Sequence, residues 1–399
     1  MNLSVGTNFD PLLVERLASF PQVRDLYGTM PYHVVGHGRP RSSVPQVTRE
    51  QVAEHVALVH SKGLTFTYLF NGPSIGGRQF RPQEHREIRD HLEWVDAMGA
   101  DAITVSIPSL VPLIRERHPR LAIKISHNNL VRCLPQALAF AEMGVDMITL
   151  HQTAVRDLPL VRQLASRVPV PFQIICTIDC MPGCPNSIGY HMSGTSTLSS
   201  TRLAPDRFNR HASAYCFSWC HLKKLEHPEE ILKGGFVRPE DLAEYEAAGI
   251  HEFKLDTRVL TTDHLVDRVR AYAERHGSRD LRRLLSVFSL GNRTRGGGQM
   301  GGGDERSLRG ADRGAAVDPP EVAAFFDLAS RVDFATLMRL DSAALDGFLS
   351  RFESGLCDQG CADCDYCRVF ASRAMAWNEP ERARFASILR DYREWLLNR

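Results

Sequence analysis

Residues 99–150 read GADAITVSIPSLVPLIRERHPRLAIKISHNNLVRCLPQALAFAEMGVDMITL. Three short apolar runs stand in this stretch, AITVS (102–106), LAIKIS (121–126) and MITL (147–150). Between them lie two segments with helical periodicity, around 109–117 and 134–143. Strands this short and this apolar, each followed by a helix, form a parallel sheet that is covered on both faces. The same unit extends in both directions. Upstream are LSVGT (3–7), VRDLYG (23–28) and TFTYLF (65–70), and downstream FQIIC (172–176) and FKLD (253–256). Helices are predicted at 11–19, from the Thr48 cap to the Gly63 stop, from Pro82 to Met98, at 154–167, from Pro239 to Gly249 and from Thr262 to His276. Eight βα units point to a (β/α)8 barrel of the TIM type. An open doubly wound sheet is the competing reading, but no G-x-G-x-x-G follows the first strand.

Composition sets the broad class. A chain of 399 residues that is 43% hydrophobic and 24% charged is an ordinary globular protein with room for a large core. A net charge of +1 gives no global field to draw nucleic acid or a membrane surface. No apolar run approaches the ~20 residues of a membrane span, and MNLSVGTNFDP lacks the features of a signal peptide. The expected location is the cytoplasm, with thiols reduced.

Nine of the ten cysteines fall in two tight groups. The first follows the seventh strand: CTIDCMPGCPNSIGYH opens at Cys176 and YCFSWC closes at Cys220. Cys176, Cys180 and Cys184 are spaced by four, as are Cys216 and Cys220. Cysteines interleaved with Pro, Gly, Asp and Asn read as metal or iron–sulfur ligands rather than as buried packing residues. The tenth, Cys133, reads as a packing residue at a helix start.

The second group is LCDQGCADCDYCRVF, giving Cys357-x3-Cys361-x2-Cys364-x2-Cys367. Four thiolates so close together form a closed four-sulfur site for zinc or for a [4Fe–4S] cluster. The compact gaps favour the cluster. The first three also have the C-x3-C-x2-C spacing of radical SAM enzymes. That motif normally lies early in a barrel and leaves one iron open, whereas here a fourth cysteine is at hand near the chain's end.

These features divide the chain. Residues 1–290 are expected to form the barrel, with an iron–sulfur insertion at 176–236. The Gly- and charge-rich stretch 291–318 reads as a flexible linker, and 319–399 as a helical region around the second cysteine group. In a barrel, functional groups sit just past the strand ends. Asn8, Asn71, Ser106, Ser126-His127-Asn128-Asn129, His151-Gln152 and Asp256-Arg258 all fall there. His127 and His151 are candidates for general acid–base work. Arg258 is a candidate for bidentate binding of a carboxylate or phosphate.

Residues 99–150 resemble the middle of the collagenase-like peptidase family, family thirty-two of the unassigned-mechanism peptidases. FVRPEDLAEYEAAGIHEFKLDTR (236–258) is similar to that family's P-E-D-L…Y…G-I…F-K-I…R block. The resemblance spans roughly residues 60–275. It implies oxygen-independent hydroxylation, of a quinone-precursor ring or of a cytidine in RNA, by a protein holding a [4Fe–4S] cluster through four cysteines. It carries over to Cys180 and Cys184, followed by Pro185, and to Cys216 and Cys220, with Cys176 in reserve. Two departures mark a distinct subfamily: the second cysteine group, and the absence of the family's peptidase signature.

The expected function is therefore an iron–sulfur oxidoreductase that modifies a small molecule in biosynthesis, or a nucleobase, without O2. The substrate would lie near His127, Asn128, His151 and Arg258. The expected cofactor is a [4Fe–4S] cluster, with a second, or zinc, at Cys357, Cys361, Cys364 and Cys367. The expected partners are a small-molecule substrate, an electron donor such as a ferredoxin or flavodoxin, and a related partner subunit. The alternatives are a peptidase, which lacks a visible nucleophile–base pair or H-E-x-x-H motif, and a non-catalytic zinc scaffold.

Overall fold

The computed structural model describes residues 1–399 apart from 40–43, 190–198, 202–208, 257–259, 278–279, 286, 289–318, 358–360 and 399. Eight strands pair in sequence order and close into a parallel barrel. They are β1 (Asn2–Gly6), β2 (Val23–Gly28), β3 (Thr65–Phe70), β4 (Ala102–Val105), β5 (Ala122–Ile125), β6 (Met147–Thr149), β7 (Phe172–Ile175) and β8 (Glu252–Leu255). β1 pairs with β8 through Leu3 opposite Phe253, which completes the ring. The (β/α)8 reading of the sequence is thus correct, with each strand placed within a residue or two of its predicted bounds.

The helices form where their end signals lie. α1 (Pro11–Leu17) starts at Asp10, whose carboxylate accepts from the Leu12 amide. Thr48 and Gln51 form a reciprocal capping box that opens α2 (Arg49–Ser61). α3 (Pro82–Ala97), α4 (Leu110–Arg117) and α5 (Leu134–Glu142) follow their strands in turn. The helix predicted over 154–167 is in fact two, α6 (Gln152–Val155) and α7 (Leu158–Arg167). Asp157 divides them by accepting from the Leu160 amide at 3.0 Å, and so caps the second.

Apolar strand residues such as Leu3, Val5, Phe66, Ile103 and Ile123 face the helices and are fully or nearly fully buried. Several of the alternate positions, which face the barrel's interior, are polar. Ser4 donates to Asp25 at 2.5 Å, Thr67 donates to Asp25 at 2.7 Å, and Lys124 donates to Thr67 at 2.8 Å. Such a layer is stable only because its members satisfy one another.

After β7 come α8 (Asn209–Glu226) and α9 (Glu229–Leu232), then α10 (Leu242–Ala247), β8 and α11 (Thr262–Ala273). The C-terminal region contains α12 (Pro320–Ala329), α13 (Ser350–Glu353), α14 (Tyr366–Ala374) and α15 (Glu379–Leu397). It also contains a two-stranded antiparallel ribbon, β9 (Met338–Leu340) with β10 (Met375–Trp377), which the sequence reading missed because three-residue strands carry no usable periodicity. α15 lies along α8: Arg382 donates to the Leu225 carbonyl, and His211 is hydrogen-bonded to Tyr392 at 3.0 Å. The segment read as a linker lies outside the described residues. Among the described residues no helix is long and apolar enough to cross a membrane.

Candidate active site

The loop between β2 and α2 crosses the mouth of the barrel. Gly38 donates to Asn71 at the end of β3, and its Cα lies against Asn128 beyond β5. The next residue, Arg39, is ion-paired with Asp256 at the end of β8. Neighbouring residues therefore reach points three strands apart on the ring. The far side of this loop is held by the segment before α8. His33 and Thr201 exchange backbone hydrogen bonds with Ser199 and His33, and Ser199 accepts from the His37 amide at 2.9 Å.

Beneath the loop, the predicted polar ends converge. Asn71 donates to Ser126 at 3.1 Å, Asn128 donates to the Asn71 carbonyl at 3.1 Å, and Ser106 donates to the same carbonyl at 3.0 Å. His127 and His151 stack with ring centroids 4.9 Å apart. His127 Nε2 donates to the Gln152 amide oxygen, so Nδ1 is its basic nitrogen. Burial lowers the His127 pKa, against the opposing pull of Gln152, Asn128 and Asp256, and keeps the ring neutral. Lys254, in β8, places its ammonium 3.9 Å from the centre of the Tyr27 ring. Tyr27 in turn donates to the Leu255 carbonyl at 3.0 Å.

Gly235 brings the chain leaving α9 against α6: a Cβ there would stand 2.5 Å from the Gln152 carbonyl oxygen. The close approach sets the partner of His127. Arg258, a predicted binding residue, lies outside the described residues. Arg39, Lys254 and Lys224 were not singled out from sequence. Lys254 had a signal, being a charge at an interior position of an otherwise apolar strand. Arg39 had none beyond a loop rich in Gly, His and Pro.

The thiols after β7 divide into four and one. Burial raises the pKa of Cys216, and its neighbours Cys220, Cys180 and Cys184 raise it further. Burial likewise raises Cys220, with Cys184 adding to the effect. Burial and then Asp179 push Cys180 up to about 12, although part of that residue reaches solvent. Cys180, Cys184, Cys216 and Cys220 therefore share one neighbourhood. Cys176 does not join them. It is fully buried in the apolar core, and its thiol acts electrostatically on Tyr245 of α10 and Tyr272 of α11, in the helix layer.

Lys224, one turn beyond Cys220 on α8, is fully enclosed and donates to the Asp179 carbonyl at 2.7 Å and carboxylate at 2.8 Å. Burial opposes its charge, but Asp179, Cys220 and Cys180 hold its pKa above the ordinary lysine value. Among the described residues no three His, Cys, Asp or Glu side chains stand close enough together to grip a metal ion as they are. The donor set nevertheless fits an iron–sulfur cluster. It offers four soft thiols in one neighbourhood and a buried cation to offset the negative charge of their ligated form.

The second group also comes together. Cys357, Cys361, Cys364 and Cys367 line one pocket, with Lys233, Arg351 and Arg368 around them.

Residues 32–171 match the family model for peptidase family U32. That match covers about a third of the chain, which resembles peptidase family U32 over this stretch. An uncharacterized protease of Methanocaldococcus jannaschii is 23% identical over 341 residues, 86% of each chain. A solved U32 peptidase aligns with 52% of this chain and 81% of its own, at 18% identity and a TM-score of 0.44. A D-psicose 3-epimerase of Clostridium cellulolyticum H10 aligns with 49% and 81%, at 13% identity and a TM-score of 0.32. The U32 match takes in the loop over the mouth and the ends of β3 to β6, hence Asn71, Ser126, His127, Asn128 and His151. It stops before β7, so both cysteine groups lie beyond it.

Proposed function

We propose that this protein is an iron–sulfur oxidoreductase that modifies a small molecule or a nucleobase without O2. One observation carries the reading: four thiols, Cys180, Cys184, Cys216 and Cys220, share one neighbourhood after β7, where the buried Lys224 lies beside Cys180 and Cys220. They would hold a [4Fe–4S] cluster. Such a cluster, when bound, supplies single electrons.

The chain's own residues would do the rest. The loop carrying Gly38 and Arg39 covers the mouth and excludes water from it. Lys254 presents a cation to the electron-rich part of a substrate. His127, neutral and with Nε2 engaged by Gln152, can accept a proton at Nδ1. His151, stacked against it, holds the ring in place and is itself fixed through Nδ1 by Thr153 at 2.8 Å. Asn128 and Asn71 offer amide groups for orienting polar substrate atoms.

A second reading, hydrolysis of peptides, is favoured by the family's name and by that of the Methanocaldococcus jannaschii relative. The Thr–His pairs among the described residues suit it poorly. Thr7 and His55, 2.9 Å apart, are both buried, the Thr153–His151 pair is tied up in capping α6, and the exposed Thr261–His264 pair, 2.7 Å apart, caps α11.

Purification under strict anoxia separates the two. The first reading expects brown protein with iron and acid-labile sulfide that depend on Cys180, Cys184, Cys216 and Cys220, and no casein or gelatin hydrolysis. Colourless, iron-free protein that cleaves either substrate would establish the second.

A further inference from the structure

Around the second cysteine group, the segment from α9 to Gly235 forms a wall shared with the first. On one side of the wall, Lys233 lines the pocket of Cys357, Cys361, Cys364 and Cys367. On the other, the next residue, Gly234, has its Cβ position 3.6 Å from the Asp179 Cα. Asp179 precedes Cys180 and holds Lys224 beside Cys220. The Lys233–Gly234 segment thus touches the surroundings of both thiol groups.

A second connection runs through Arg156, at the end of α6. That guanidinium is buried against the rings of Phe236, Phe348 and Phe352, at 4.7, 4.9 and 5.2 Å. It acts electrostatically on Cys367. His151 caps the start of α6 and Arg156 its end, so one short helix joins the barrel mouth to the C-terminal pocket. A buried arginine against a thiol is costly unless a negative charge offsets it, and four ligating thiolates would supply that charge. Cys361 reaches solvent, as does Cys180 in the first group.

We infer that Cys357, Cys361, Cys364 and Cys367 hold a second [4Fe–4S] cluster, through which electrons enter the central site. The inference rests on the iron–sulfur reading above. One electron passes from a low-potential one-electron donor to the C-terminal cluster, oxidising the donor. It then passes to the central cluster, returning the C-terminal one to its oxidised state. No covalent bond forms or breaks in either step.

The full chain, purified anaerobically, tests this by metal content and by electron paramagnetic resonance after dithionite reduction. Wild type should hold about eight iron and eight sulfide per chain, the sum of two four-iron clusters. Cys361→Ser with Cys364→Ser, and separately Cys216→Ser with Cys220→Ser, should each retain about half, with unchanged far-ultraviolet circular dichroism. The reduced wild type should show spectra broadened by coupling between two nearby spins, and each double variant an unbroadened signal. Lys233→Met, which removes no ligand, should keep the full iron content and shift only the C-terminal signal.

One zinc per chain that disappears with Cys361 and Cys364 would overturn the inference, as would a full iron count in that variant. Two clusters whose spectra simply add would overturn the relay. Loss of iron with the C-terminal pair but not with Cys216 and Cys220 would instead sink the proposed function and leave a cluster at the C-terminal site.

Discussion

Cys176 and Cys220 both follow β7, and sequence alone offers both as ligands, yet their substitution should have different consequences. Cys176→Ala deletes one sulfur from a fully buried position whose neighbours are apolar. The lost transfer energy is close to that of one buried methylene, about 0.8 kcal/mol. The void left, on the order of 25 Å³, adds about 0.6 kcal/mol at the usual cost of cavity volume. Urea denaturation should therefore show a loss of roughly 1 to 2 kcal/mol, with iron per chain unchanged. Cys220→Ala removes a thiol from the group of four. It should abolish the central cluster and lose about four iron per chain. Its stability should fall further, because metal-binding energy is folding energy. Both variants are purified anaerobically and measured for iron, sulfide and urea midpoint. Iron lost from the Cys176 variant and kept in the Cys220 variant would refute the division into four and one.

Three further outcomes follow from the packing. Lys224→Met leaves the Asp179 carboxylate without its buried cation. It should cost about 3 kcal/mol by denaturation and shift the reduction midpoint of the holoprotein negative, since removing a cation disfavours the more negative state. Gly235→Ala drives a Cβ against the Gln152 carbonyl. A loss of about 1 to 3 kcal/mol is expected in the same assay, and an unchanged midpoint would show that the close approach is not real. His33 and His55 have pKa values lowered by burial, to about 3 and about 4, and His91 is likewise lowered by burial. Below the ordinary value of about 6.5 the unfolded chain binds protons that the folded chain refuses, so stability is full above that pH and falls as pH drops toward 4. Each ring contributes up to about 1.4 kcal/mol per pH unit. A urea midpoint that stays flat from pH 7 to 5 would contradict the burial of these rings.

The barrel was legible because each βα unit carries its own signals. β2 and β3 lie where VRDLYG and TFTYLF were read, since both runs are bounded by turn residues. The polar strand ends were legible for the same reason: once the strand ends are known, His127, Asn128 and His151 fall at the mouth. What joins them was not legible. The Arg39–Asp256 pair spans more than two hundred residues of sequence, and only closure of the ring makes them neighbours. The interior layer of Asp25, Thr67 and Lys124 was hidden in runs read as apolar, because only one face of each strand is apolar. The cysteines were conspicuous, but spacing alone could not separate Cys176 from the other four. It sits on the strand's end with its thiol toward the helices, and a helix layer cannot be located by counting residues.

The U32 match and the proposed iron chemistry occupy different parts of this chain. The U32 match covers the half of the mouth built from β3 to β6 and ends one residue before β7. The cysteines enter from the other half, on an insertion after β7 and on a C-terminal region packed against it. A shared barrel can therefore present similar polar ends to different substrates while the insertion determines what chemistry reaches them. Gln152 is where the two halves meet: its side-chain amide partners His127 within the matched segment, and its backbone carbonyl lies against Gly235 from the segment after β7.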